Sequence, residues 1–195
     1  MLIGIYGGSF NPVHTGHTSL AQHLVDNGFV NEVWLLVSPL NPLKQDKGDI
    51  VPYSHRLNMA ELACSACHGV KVSAFESTLP VPSYTITTLE ALSKAYPEHQ
   101  FAIIIGADNW NSFGLWYRHE DIIANHRIFI YNRPGYAIDP ASLKRYDRQV
   151  KVIDAPTYDI SSTEIRRQVK DGVCTSQWLS QDVLEYIRKN KLYIR

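Results

Sequence analysis

Apolar residues in this chain gather in short, nearly continuous runs, separated by longer stretches with a helical rhythm. The runs at 2–6, 32–37 (EVWLLV), 70–75, 101–105 (FAIII), 127–131 and 150–153 are mostly rich in Ile, Val, Leu and Phe. Strands with so little alternation are buried on both faces, the condition of an inner strand in a parallel sheet. Between them, 17–27, 54–67, 85–95, 116–125 and 141–146 read as helices, and 162–171 and 181–189 close the chain as two more. Within 85–95, Ile86, Leu89 and Leu92 fall on one stripe, the face a helix buries. Strand–helix alternation predicts an α/β fold, a Rossmann-like doubly wound parallel sheet with helices on both faces. Residues 39–52 and 133–140 carry Pro, Gly and polar residues and are expected to be loops. No repeat or low-complexity stretch interrupts the pattern, so one domain over 1–195 is expected.

Composition narrows the partners. Nineteen basic residues balance nineteen acidic ones, so no general nucleic-acid or membrane-surface role is expected and any anion site must be local. No apolar run approaches a membrane span, and the opening residues lack the basic and long apolar regions of a signal peptide. A cytoplasmic location is the expectation. Cys64, Cys67 and Cys174 form no disulfide framework. Cys64 and Cys67 lie in CSACH, where C-x-x-C before a His raises metal, redox or haem chemistry. The motif ends a helical run and has no second pair, so packing is the stronger reading.

The chemistry concentrates in GGSFNPVHTGH, residues 7–17. It follows the first strand, and doubly wound sheets bind ligands at the carboxyl ends of their strands. Gly7 and Gly8 would let the backbone turn sharply and approach a ligand closely, with Ser9 and Phe10 completing the turn. A helix start follows, and its free N–H groups suit phosphate. The letters fit neither a P-loop, nor a G-x-G-x-x-G fingerprint, nor a G-x-S-x-G elbow. A zinc site lacks a third ligand at a recognisable spacing. What remains is H-x-G-H, with His14 and His17 placed to donate hydrogen bonds to phosphate oxygens that gain charge in a transition state. A second signal lies at DISSTEIRRQV, where Ser161 and Glu164 have capping-box spacing and put Arg166 one turn inside a helix.

Together these segments resemble the H-x-G-H nucleotidyltransferase superfamily and, more narrowly, bacterial nicotinate-nucleotide adenylyltransferases, over most of the chain. The resemblance implies adenylyl transfer from ATP to nicotinate mononucleotide in NAD biosynthesis, with Mg²⁺ held largely through the ATP phosphates and no residue assigned as a metal ligand. It implies that Ser161, Ser162, Thr163 and Arg166, in ISSTEIR, hold the triphosphate. Lys44, in SPLNPLKQ, would lie near the same phosphates, although Leu43 stands where relatives often carry His. Ser83, Tyr84 and Thr85, in PSYTITTLEAL, would contact the mononucleotide, with Thr87 replacing the usual Asp. Gly106 and Asp108, in IIIGADNW, would lie near both nucleotides, and Trp116 would stack on the pyridine ring beside Tyr117. Arg133, in YNRPGY, would lie near the substrate.

The resemblance implies catalysis by His14, His17, Arg166 and Lys44, small-molecule partners only, and leaves a homo-oligomer open. The rival readings are a nicotinamide mononucleotide adenylyltransferase, a non-catalytic nucleotide sensor on the same fold, and a metal or redox module at Cys64 and Cys67. Both histidines and the ISSTEIR segment speak against the sensor.

Overall fold

The computed structural model describes residues 1–39 and 50–194. Its sheet is built from β1 (Leu2–Gly8), β2 (Glu32–Val37), β3 (Val70–Ser73), β4 (Gln100–Gly106), β5 (Arg127–Tyr131) and β6 (Val150–Ile153). All neighbours pair in parallel, in the order β3-β2-β1-β4-β5-β6. The order reverses between β1 and β4, so a crevice opens beyond their carboxyl ends, where the turns after both strands diverge.

The helices are α1 (Thr15–Asp26), α2 (Tyr53–Cys64), α3 (Thr85–Ala95), α4 (Ala107–Asn111), α5 (His119–Asn125), α6 (Pro140–Lys144), α7 (Ser162–Lys170) and α8 (Gln181–Lys189). Side chains alternate across each strand, so successive residues feed two cores. Tyr6, Val33, Leu35 and Ile104 meet α1, α2, α7 and α8 on one face, through residues such as Leu24, Met59, Ile165 and Ile187. Ile3, Ile5, Leu36 and Ile103 meet Ile86, Leu89 and Leu92 of α3 and Ile122 of α5 on the other. The stripe expected for 85–95 is therefore a buried face. Cys64 is buried in the first core, and burial pushes its thiol up to about 12, as inert packing requires. No helix among the described residues is long and apolar enough to cross a membrane.

Several boundaries differ from the sequence pattern. β1 continues through Gly7 and Gly8, because both remain in ladder register opposite Leu36 and Val37. β3 is an edge strand and stops at Ser73, whose hydroxyl accepts the Phe75 N–H and starts a 3₁₀ turn over Phe75–Thr78. The expected helix over 116–125 begins only at His119, since Arg118 has left-handed backbone (φ 51°). Short α4 and a 3₁₀ turn at Phe113–Leu115 precede it. α1 starts earlier than expected, with His14 as its N-cap.

Candidate active site

The GGSF turn works differently from the expectation. The left-handed conformation falls on Phe10 (φ 45°), not on the glycines. A Cβ on Gly8 would come within 3.1 Å of the Phe10 ring, so Gly8 is the space into which that ring folds. A Cβ on Gly7 would meet nothing within 4 Å, which leaves its backbone open to the crevice. Phe10 in turn beds His17, with ring centroids 5.1 Å apart and edge-on, and Tyr6 flanks both.

The two imidazoles sit together, centroids 3.7 Å apart. His14 is 7% exposed, and its Nδ1 has no hydrogen-bond partner among the described residues. Burial, with Arg133 adding to it, pulls its pKa down to about 4, so His14 is neutral at pH 7. The His14 backbone N–H donates to Nδ1 of His17 at 3.2 Å. A neutral His17 therefore carries its proton on Nε2. Gly16 completes the logic of H-x-G-H, since a Cβ there would approach the His14 ring to 3.1 Å.

The start of α7 docks onto this turn. Ser162 Oγ donates to the Pro12 carbonyl at 2.8 Å, and Arg166 Nη1 donates to the Asn11 carbonyl at 3.0 Å. Ser161 caps the helix by accepting the Glu164 N–H, while the amides of Ser162 and Thr163 stand at its open end. Because the Ser162 hydroxyl is committed to Pro12, its backbone N–H is what it offers an anion. A cavity of about 830 Å³ lies between the two segments. Its lining includes Gly7, Gly8, Ser9, Phe10, His14, His17, Ser161, Ser162, Thr163, Arg166 and Arg133. This surface of imidazole, guanidinium, hydroxyl and amide groups is suited to an extended anion.

Other residues singled out in the sequence lie elsewhere. Gly106 and Asp108 do not line the cavity but reach it through Arg133, whose Nη1 donates to Asp108 at 2.7 Å. Any Cβ on Gly106 would strike Asp108 and Arg133, so this glycine makes room for the ion pair. Ser83, Tyr84 and Thr85 form the start of α3, and the Tyr84 and Tyr117 rings meet at 4.8 Å, both exposed. Trp116 packs on Phe113, and its buried Nε1 has no hydrogen-bond partner among the described residues. Where the resemblance expects an Asp, Thr87 stands, yet a carboxylate still reaches this turn. Buried Glu76 accepts from Thr88 and from Ser38 at the end of β2. Leu43 and Lys44 lie outside the described residues.

Three contributors escaped the sequence pattern. Arg56, 2% exposed, donates to the carbonyls of Ser9, Ser38, Pro39 and Val51, clamping the phosphate-side turn to its neighbours. Asn11 and the Tyr6–Tyr131 hydroxyl pair, 3.3 Å apart, also line the cavity. For Arg56 the available signal was a charge inside an otherwise apolar helical stripe. Among the described residues no group of three or more His, Cys, Asp or Glu is arranged to hold a metal, at CSACH or elsewhere.

Comparison with known proteins agrees with this arrangement. Residues 5–168 match the family model described as cytidylyltransferase-like. A protein of Bacteroides thetaiotaomicron described as a probable nicotinate-nucleotide adenylyltransferase is 44% identical over 98% of this chain and 92% of its own length. One of the same description from Porphyromonas gingivalis is 42% identical, covering 94% of each. Among solved structures, Plasmodium falciparum nicotinic acid mononucleotide adenylyltransferase complexed with NaAD superposes with a TM-score of 0.84 at 22% identity, covering 98% of this chain and 97% of that one, and shares the fold. The chain belongs to the cytidylyltransferase-like family and, within it, to the nicotinate-nucleotide adenylyltransferases.

Proposed function

We propose that this protein, acting as a single nucleotidyltransferase domain, transfers the adenylyl group of ATP to nicotinate mononucleotide in NAD biosynthesis. A 5′-phosphate oxygen of the mononucleotide forms a bond to the α-phosphorus of ATP. The bond from that phosphorus to the β-bridging oxygen breaks, pyrophosphate leaves, and nicotinate adenine dinucleotide remains. No covalent enzyme intermediate is needed when both substrates lie side by side across the switch point.

The observation that supports this reading most strongly is the convergence of His14, His17, the α7 start and Arg166 on one cavity. His17 Nε2 and the neutral ring of His14 donate to oxygens whose charge grows as the α–β bond breaks. Phosphate charge beside His14 draws its depressed pKa upward and strengthens that donation. Arg166 and the amides of Ser162 and Thr163 hold the departing pyrophosphate. Lys44 is assigned to the same phosphates. Gly7, Gly8, Ser9 and Phe10 let the triphosphate lie close along the backbone, and Gly106 and Asp108 are assigned to the nucleotides through Arg133, which Asp108 holds.

Ser83, Tyr84 and Thr85 are assigned to the mononucleotide, with Trp116 and Tyr117 against its cationic pyridine ring and Arg133 beside its phosphate. Mg²⁺, when bound, would be carried by the triphosphate beside His14, His17 and Arg166 and would supply charge neutralisation there. The reaction is assigned to the cytoplasm.

The test is a paired assay with ATP and Mg²⁺, nicotinate mononucleotide against the nicotinamide form, reading dinucleotide and pyrophosphate. Faster turnover with the nicotinate form is expected. Preference for the amide reassigns the substrate, and no product from either leaves a nucleotide sensor.

A further inference from the structure

The tail after α8 has a strained backbone. Lys191 and Tyr193 are both left-handed, at φ 51° and 63°, on either side of buried Leu192. Bulky residues rarely occupy that region, and such conformations persist only where the surroundings over-determine them. Lys191 closes α8 in the usual left-handed way, its N–H donating to Arg188 and the Leu192 N–H to Ile187. Tyr193 lies beyond that closure, and its side chain is tied across the fold. Its hydroxyl donates to Oδ1 of Asn11 at 2.8 Å, across 182 positions of sequence.

Asn11 is 4% exposed and sits at the centre of the turn between β1 and α1. Its Oδ1 also accepts the Val51 N–H at 3.3 Å, and its carbonyl accepts Nη1 of Arg166 at 3.0 Å. Burial pushes the Tyr193 phenol upward, against the pull of the Arg166 and Arg56 charges, so it stays a donor at neutral pH. Tyr193 is not among the residues lining the cavity, and its hydrogen bond toward that lining runs to Asn11.

We infer that Tyr193 is a positioning residue for adenylyl transfer: by fixing Asn11, it fixes the carbonyl that aims the Arg166 guanidinium at the departing pyrophosphate. The inference rests on the reaction proposed above. One hydroxyl and its hydrogen bond are at stake, and a bond of this kind is worth roughly a fivefold change in an equilibrium or rate.

The experiment compares the full chain with Tyr193→Phe, alone and in an Arg166→Lys background. The expected result is a kcat about fivefold lower for Tyr193→Phe, with the KM for nicotinate mononucleotide unchanged within about twofold. In the Arg166→Lys background the same substitution is expected to change kcat by less than about twofold, because the group being aimed has been replaced. An equal loss in both backgrounds, or a lowered melting temperature with kcat intact, would show Tyr193 to be a structural anchor only. Pyrophosphate binding by titration calorimetry separates this failure from failure of the reaction. Should the parent chain make no dinucleotide, Tyr193→Phe must still weaken pyrophosphate about fivefold with Arg166 present and not with Lys there. Unchanged pyrophosphate affinity overturns the inference.

Discussion

The residues assigned to the triphosphate and those assigned to the pyridine mononucleotide meet solvent very differently. Around the β1–α1 turn, Ser9, Phe10, Asn11 and His14 are buried, and nearly every polar group there is held by another element. Around the start of α3, Tyr84 is 41% and Tyr117 56% exposed, and neighbouring Leu115 is 88% exposed. The first region is built before anything binds, as charge stabilisation in a transition state requires, since donors that must reorganise lose much of their effect. The second presents open aromatic faces that a planar ring can cover, a form of recognition that tolerates adjustment.

The contrast breaks most sharply at the histidines. His17→Ala is expected to lower kcat by about 10²–10³ while leaving the melting temperature near that of the parent, read by steady-state kinetics and calorimetry. A folded variant with near-parent turnover removes the histidines from the chemistry. Next in size is Arg56→Met, which strips donors from four carbonyls at once. A loss of about 3 kcal/mol is expected, or roughly 6–12 °C in melting temperature. A melting temperature within a degree or two of the parent would mean that the clamp contributes nothing.

The same region should show its burial in its response to acid. Burial, helped by Arg133, takes His14 from 6.5 to about 4, so the unfolded chain binds its proton more tightly than the folded one. Its contribution to stability is complete above about pH 6.5 and is lost as pH falls toward 4, by at most about 3 kcal/mol. Glu76 has the opposite sign, because burial raises its pKa, so the measurement must be a difference. Melting curves at pH 7 and 4.5 should fall less for His14→Gln than for the parent; parallel falls would contradict the burial argument. The smallest effect is expected at the open end. Tyr117→Ala should raise the KM for nicotinate mononucleotide about threefold, with the KM for ATP unchanged, as befits one exposed ring contact. Equal changes in both constants would merge the two regions into one.

How much of this was legible beforehand depends on distance along the chain. The H-x-G-H motif and the S-x-x-E cap are local patterns, and each puts its residues on a helix start by geometry that four letters encode. Even there, the turn strain passed from the expected glycines to Phe10, because Gly8 is occupied sterically by the Phe10 ring. Arg56 left only a charge in an apolar stripe, Asn11 only a letter inside the motif, and Tyr193 nothing, and none of these reported the contact it makes. Their partners lie 47, 155 and 182 positions away, and no periodicity reports a contact of that span.

The sequence by itself determined the parallel α/β architecture, since unbroken apolar strands can be buried only in a sheet covered on both faces. It also determined which residues carry charge, protons and donors. Tertiary structure alone decided which of them face one another: β1 and α7 lie far apart in the chain, and only the sheet order brings Asn11 and Pro12 against Ser162 and Arg166. It also decided the protonation of His14, because desolvation is a property of what surrounds a group and not of its place in the chain.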